Sequence, residues 1–219
     1  MKTRIIAINR EEGAEEAAAR AAGEVLKSGG IAAFPTDTVY GLGAVYSDRE
    51  AIRKIFEAKG RPENKPLSIL VADQSQVGLL AEEVSEDAKK LMQHFWPGAL
   101  TLIFRKNASA DIPEEVTAGG DTIGIRMPDC TAAVRIIEQA GAPLAAPSAN
   151  LSGKRSASSG KDVIEDLDGR IDLIVDGGEC PVGVSSTVID MSGQRMRILR
   201  EGTVTADMIE EITGSRPVQ

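Results

Sequence analysis

Short apolar runs of strand length alternate with amphipathic stretches of helix length along nearly the whole chain, which restricts it to a sheet packed against helices. Residues 14–28 read as a helix with Ala14, Ala17, Ala18, Ala21, Ala22 and Val25 on one face, stopped by Gly29-Gly30. Asp48 is placed to cap a helix carrying Ile52, Ile55 and Phe56 that frays near Lys59-Gly60. Ser85 opens another, with Ala88, Leu91, Met92 and Phe95 inward and Pro97-Gly98 as its stop, and Asp129 caps a third through Gln139. Shorter helices are expected near Val163 to Leu167 and from about Thr205. Between them, Ile31 to Phe34, Leu67 to Val71, Leu100 to Phe104, Thr122 to Arg126, Leu144 to Ala146 and Ile171 to Val175 read as strands. Ser186 to Asp190 and Met196 to Leu199 read as a hairpin closed around Ser192-Gly193. This order is irregular, so the expectation is an α/β three-layer fold on a twisted mixed parallel/antiparallel sheet. No repeat or low-complexity tract divides the chain. We expect one domain over residues 1–219, its core at about 10–212, with no second C-terminal domain.

Composition removes several chemistries. With 42% hydrophobic and 26% charged residues the chain can bury a core, and with 3% aromatics that core is aliphatic and offers no base-stacking platform. One histidine, His94, reads as a helix-surface or packing residue and leaves little for a Ser-His-Asp triad or a histidine-rich metal site. Cys130 and Cys180 lack the CxxC spacing of zinc ribbons and redox motifs, and two thiols in a chain this long suit the cytoplasm. The run Ile5 to Ile8 is too short for a signal peptide or a membrane span, so no membrane partner is expected. Acids outnumber bases 33 to 25, a net charge of −8, so an anionic ligand has to be held by local clusters of cations.

Such clusters exist. Arg53, Lys54, Lys59, Arg61 and Lys65 stand against only Glu57 and Glu63; Lys154, Arg155 and Lys161 lie in or beside a serine-rich loop; Arg195, Arg197 and Arg200 end the hairpin. In KGRPENKPL (59–67) the prolines bias Arg61 and Lys65 towards extended backbone, where residues two apart share a face, so Lys59 and Arg61 can reach one ligand. Ser148 and Asn150 repeat that spacing in PSANLSGKRSASSG (147–160), a loop whose length points to binding. PTDTVYGLG (35–43) reads as a loop that puts Thr36, Asp37 and Thr38 after a buried strand, with Gly41 and Gly43 permitting close backbone approach. Arg126 in an apolar strand needs an anionic partner, a structural carboxylate or a ligand. SSTVID (185–190) sets Ser186 and Thr187 at a strand entrance. Neither GxxxxGK[ST] nor GxGxxG occurs, so a nucleotide would be gripped in another way.

PTDTVYGLG, KGRPENKPL, FWPGALTLI, DTIGIRMPD, APSANLSG, SSTVID and ILREG, in this order, resemble the YrdC-like family of threonylcarbamoyl-adenylate synthases over about residues 10–212. The family's KxR…SxN tetrad falls on Lys59, Arg61, Ser148 and Asn150. The resemblance implies a nucleotidyltransferase that condenses L-threonine, bicarbonate or CO2 and ATP into threonylcarbamoyl-AMP and pyrophosphate. The product then passes to a threonylcarbamoyl transferase acting on tRNA. It implies ATP contacts at Arg61, Lys65, Thr122, Asn150, Ser158 and Arg200, and threonine contacts at Thr38, Arg126, Ser148 and Ser186. Lys59 would lie between the two substrates, catalytic together with Arg61. Mg²⁺ would arrive with ATP and without protein ligands. Residues 67–71, LSILV, lack the histidine that some longer relatives place nearby.

Two other readings stand beside this one. An RNA-binding or ribosome-associated module without synthase activity could use the same basic concavity, although net charge −8 and few aromatics oppose it, and weak RNA binding is also expected as a partner contact of the synthase reading. A carbamoyl-transfer domain is the other, without the acylphosphatase-like and zinc-bearing parts that accompany such domains.

Overall fold

The computed structural model describes residues 2–9 and 11–218; Met1 and Gln219, the expected domain limits, and Arg10, the expected start of its core, lie outside the described residues. Its strands are β1 (Arg4–Ala7), β2 (Ala32–Phe34), β3 (Gly41–Val45), β4 (Ser68–Leu70), β5 (Leu100–Arg105), β6 (Thr122–Arg126), β7 (Leu144–Ala145), β8 (Leu173–Asp176), β9 (Thr187–Asp190) and β10 (Arg197–Arg200). They form one sheet in the order β1-β8-β2-β3-β7-β4-β6-β5-β9-β10. β1, β8 and β2 run parallel, as do β4 with β6 and β5 with β9, while β3, β7 and β10 are antiparallel to their neighbours. The expected mixed sheet is present.

Helices cover both faces. α1 (Ala14–Lys27) and α6 (Thr131–Ala140) lie on one, packing Ala18, Ala22, Leu26, Ile136 and Ile137 against Phe34, Leu173 and Val175. α2 (Arg49–Lys59), α3 (Val77–Leu80), α4 (Glu86–Phe95), α5 (Glu114–Thr117), α7 (Gly160–Leu167) and α8 (Ala206–Thr213) contribute to the larger core on the other. The caps follow the sequence at Asp48, Ser85 and Thr205, whose side chains accept from the N–H of Ala51, Ala88 and Met208. Gly60 ends α2 in the left-handed region, at φ 57°.

Three expectations are corrected, and one strand forms where none was read. The Gly41–Val45 stretch is a strand rather than a loop, because the Phe34 ring fills the space its glycines leave: a Cβ on Gly43 would stand 2.7 Å from Phe34 Cε1. Residues 4–7 form an edge strand whose parallel partner, β8, lies far along the chain. The buried stripe of α1 is Ala18, Ala19, Ala22 and Leu26, with Ala17 exposed, since Gly23 presses directly on Gln139 of α6. Asp129 does not cap α6: Cys130 is the residue before the helix, and the Asp129 N–H donates instead to Asp37.

One asymmetry positions the site. The smaller core under α1 and α6 ends at Leu70 of β4, so among the described residues that face of β6, β5, β9 and β10 carries no helix. Along β6 the two-residue period sends Ile123 and Ile125 into the larger core and Thr122, Gly124 and Arg126 onto the uncovered face.

Candidate active site

On that uncovered half lies a cavity of about 200 Å³. Its wall carries three guanidiniums, from Arg61, Arg126 and Arg200, and the hydroxyls of Thr36, Thr38, Thr101 and five serines; among the described residues no Asp or Glu lines it. In a chain of net charge −8 this is a pronounced local inversion. The volume is below the roughly 300–1,000 Å³ of pockets that enclose drug-sized ligands. The cavity therefore has room for a small ligand of about amino-acid size.

Arg126 is fixed from three sides. Its Nε donates to Gly98 O at 2.9 Å, Nη1 to Thr38 Oγ1 at 2.7 Å, and Nη2 to the Asp37 carboxylate in a pair that is 7% and 8% exposed. The anionic partner its strand position demands is thus structural. Burial pushes its pKa down, and Asp37 opposes that by favouring the charged form. Three of the five guanidinium donors are used, which leaves two for a ligand.

Arg200 arrives through a β-bulge. Ile198 pairs with Ile189 and Arg200 with Val188, so Leu199 is the extra residue and Arg200 shares the cavity face with Val188. Its Nε donates to Ser186 O at 2.9 Å and Nη2 to Ser186 Oγ at 3.2 Å, and Ser186 Oγ also lies 2.8 Å from Thr101 Oγ1. Burial and the Arg126 charge both press its pKa downward. Beyond it the fully buried Thr187 hydroxyl accepts from the N–H groups of Gly202 and Val204 and donates to Val204 O, which pins the turn. Arg61, from the turn after α2, donates to Lys65 O and Pro66 O and is also pushed down by burial.

Six of the eleven expected site residues therefore line one cavity: Thr38, Arg61, Arg126, Ser148, Ser186 and Arg200. Lys59 and Asn150 stand behind its wall. The Lys59 ammonium, 2% exposed, donates to the carbonyls of Ser148 and Asn150, and burial with help from the Arg61 charge pushes its pKa down to about 7, against an opposing pull from Asp166. Asn150 accepts from the Ser148 hydroxyl and donates to Leu151 O and Lys154 O. Lys59 and Asn150 thus shape the loop that presents Ser148. Ser158 is engaged with the Asp162 carboxylate at the start of α7, Lys65 is on the exposed rim, and Thr122 stands on the open face beyond Gly124.

Sequence reasoning did not single out Thr101, Ser68, Ser156 or Ser185 for this cavity. Thr101 had a signal: it is the one polar residue before the terminal arginine of an otherwise apolar strand, β5.

The sequence model of the family Sua5_yciO_yrdC, described as telomere recombination, matches residues 24–202. The chain belongs to the Sua5/YciO/YrdC family. Within that family it is 46% identical over 209 residues to the threonylcarbamoyl-AMP synthase of Pyrococcus abyssi (95% of this chain, 61% of the relative). It is 49% identical over 193 residues to that of Bacillus subtilis (88% of this chain, 56% of the relative). The chain spans between half and about three-fifths of the length of these curated relatives and the one from Schizosaccharomyces pombe. Its fold superposes on the crystal structure of P. abyssi Sua5 complexed with L-threonine at a TM-score of 0.91 and 42% identity (100% of this chain, 63% of the other). Escherichia coli YciO, at 24% identity, shares the fold with a TM-score of 0.79 (95% and 98% covered).

Among the described residues no group of three or more His, Cys, Asp or Glu side chains could hold a metal ion, and the nearest carboxylate to Arg126, Asp37, is committed to it. These residues do not fit a resident metal. No helix is long and apolar enough to cross a membrane among the described residues.

Proposed function

We propose that the chain makes threonylcarbamoyl-AMP from L-threonine, bicarbonate or CO2, and ATP, releasing pyrophosphate. The observation that carries this reading is the cavity itself: three guanidiniums and a ring of hydroxyls, with no acid, nucleophilic thiol or histidine in its wall among the described residues. Such a wall positions anions and neutralises charge; it has little acid–base or covalent chemistry to offer. The likeness to P. abyssi Sua5, solved with L-threonine, supports threonine as the amine.

In this mechanism the threonine carboxylate takes the two remaining N–H groups of Arg126, a charge-assisted contact. Thr38, Ser148 and Ser186 hold the amine and hydroxyl. The amine and bicarbonate give the carbamate and water. A carbamate oxygen then attacks the α-phosphorus in line, the bond to the β-phosphate oxygen breaks, and pyrophosphate leaves with its electron pair. Arg61 and Arg200 neutralise the charge that gathers on the phosphates. Mg²⁺ belongs to the substrate as MgATP. Thr122 and Lys65 meet the nucleotide where it runs along the open sheet. Lys59 and Asn150 act as positioning residues for the Ser148 loop, and Ser158 acts through the same loop.

The product is an acyl-adenylate, suited to a transferase that carries the threonylcarbamoyl group to tRNA. Two free thiols, Cys130 and Cys180, suit a reducing compartment, the cytoplasm. The RNA-binding reading is the weaker, since its key cations face inward: Lys59 and Arg126 are 2% and 6% exposed and cannot line a phosphate-tracking surface.

The test is pyrophosphate release. It should require ATP, threonine and bicarbonate together; release without threonine, or none with all three, would overturn the reading.

A further inference from the structure

We infer that Ser68 holds the one-carbon substrate: its hydroxyl donates to an oxygen of bicarbonate, and then of the carbamate that bicarbonate becomes. The inference rests on the synthase reading above and deepens it, since that reading gives the one-carbon acid no residue.

Ser68 carries the uncommitted hydroxyl of the cavity. Every other hydroxyl in the wall is bonded to a protein group, Thr36 with Thr38, Thr101 with Ser186 and Ser148 on Asn150 among them. Ser68 Oγ makes no hydrogen bond among the described residues, although the side chain is partly buried in the wall. Its partner in the ladder, Gly124, has no side chain to cover it, so the hydroxyl stays open to the cavity. A polar group held unpaired in a closed wall costs free energy until something in the space bonds it.

Its place along the wall decides which part of the substrates it meets. Pro66, Ser68 and Leu70 follow one another there at the two-residue period of a strand. At one end Arg61, assigned to the phosphates, donates to Pro66 O at 2.9 Å. At the other, Leu70 pairs in register with Arg126, assigned to the threonine carboxylate. Ser68 lies midway between these anchors. In the product, the covalent path from the threonine carboxylate to the α-phosphorus runs through Cα, N, the carbamate carbon and its bridging oxygen. The one-carbon unit therefore occupies the middle of that path. A neutral hydroxyl at this point steadies one oxygen of the one-carbon acid without withdrawing the charge that the attacking oxygen needs. The amine nitrogen forms its bond to the bicarbonate carbon, the C–OH bond breaks, and hydroxide leaves with an amine proton as water. Ser68 keeps its own proton throughout.

The experiment measures pyrophosphate release by the full chain against total inorganic carbon, at saturating threonine and MgATP, with carbonic anhydrase present so that bicarbonate and CO2 stay in equilibrium. Ser68→Ala should raise the KM for inorganic carbon by at least about tenfold, the scale of one hydrogen bond to a charged group. The KM values for threonine and MgATP should be nearly unchanged. Ser68→Thr, which keeps the hydroxyl, should stay close to wild type. An unchanged KM for inorganic carbon in Ser68→Ala, an equal rise for threonine or MgATP, or the same loss in Ser68→Thr would overturn the inference. Both variants should melt at the wild-type temperature, because no protein hydrogen bond is removed; a lowered melting temperature in Ser68→Ala would give the hydroxyl a structural role instead. A wild-type chain inert with all three substrates would overturn the synthase reading and this one with it; an active wild type with an unshifted variant overturns this one alone.

Discussion

The Arg126 guanidinium and the Asp37 carboxylate, 89 residues apart in sequence, form an ion pair in which neither side chain is more than 8% exposed. Removing the acid alone strands a buried charge, which typically costs about 3–5 kcal/mol. Asp37→Ala should lower the unfolding free energy by roughly that amount in urea titrations, and Asp37→Asn, which keeps an acceptor for Arg126 and Asp129, by clearly less. Equal losses would show that the charge is not what matters.

Lys59 titrates at about 7 in the folded protein, against an ordinary value of 10.5. Between those pH values the unfolded chain holds the proton and the folded chain does not, so stability rises with pH, by at most about 1.4 kcal/mol per unit. Below pH 7 both states are protonated and this contribution is flat. Lys59→Met should flatten the rise between pH 7 and 10 in a series of urea midpoints. Parallel profiles for the two proteins would remove Lys59 from the account.

The same residue shows how far the sequence could be read. Lys59, Arg61, Ser148 and Asn150 stood out by spacing, and they do meet in space. Spacing could not say that the lysine would turn from the cavity onto the carbonyls of Ser148 and Asn150, because that depends on how two loops 89 and more residues apart pack. Helices with capping side chains, at Asp48, Ser85 and Thr205, were legible because the signal is local. β3 was not: glycines lack the side chains that mark a strand, and the Phe34 ring that completes it lies on β2. Arg126 announced its need of a carboxylate, but Asp37 was visible only as a loop acid.

Arg61→Ala and Arg200→Ala should each slow pyrophosphate release by about a hundredfold, the scale seen when one preorganised charge-stabilising donor is lost. Neither should change the melting temperature as Asp37→Ala does, since Arg61 is only partly buried and Arg200 is exposed. Rates near wild type in both variants would refute their assignment to the phosphates.

Lys59→Ala should also reduce turnover, through misplacement of the Ser148 loop, by about a hundredfold. If the role is positional, the loss should appear in kcat/KM for threonine as well as for MgATP; a loss confined to MgATP would instead give the ammonium a direct phosphate contact.

Gly202 sits where a Cβ would meet backbone atoms, Ser185 O at 2.5 Å and Thr187 N at 2.7 Å. Those atoms cannot swing aside as a flexible side chain does, so Gly202→Ala should cost about 1–3 kcal/mol. It should also lower activity by loosening the turn that follows Arg200. A stable, fully active variant would contradict both expectations.

Leu199 in the bulge has no partner across the ladder, and the pairing on either side of it is already that of a strand one residue shorter. The direction of Arg200 is thus set by what it faces, Val188, and not by how many residues separate it from Ile198. The rim of the sheet can absorb the loss of that leucine without rotating the guanidinium away, so chain length at this edge is free to drift while the charge stays on target.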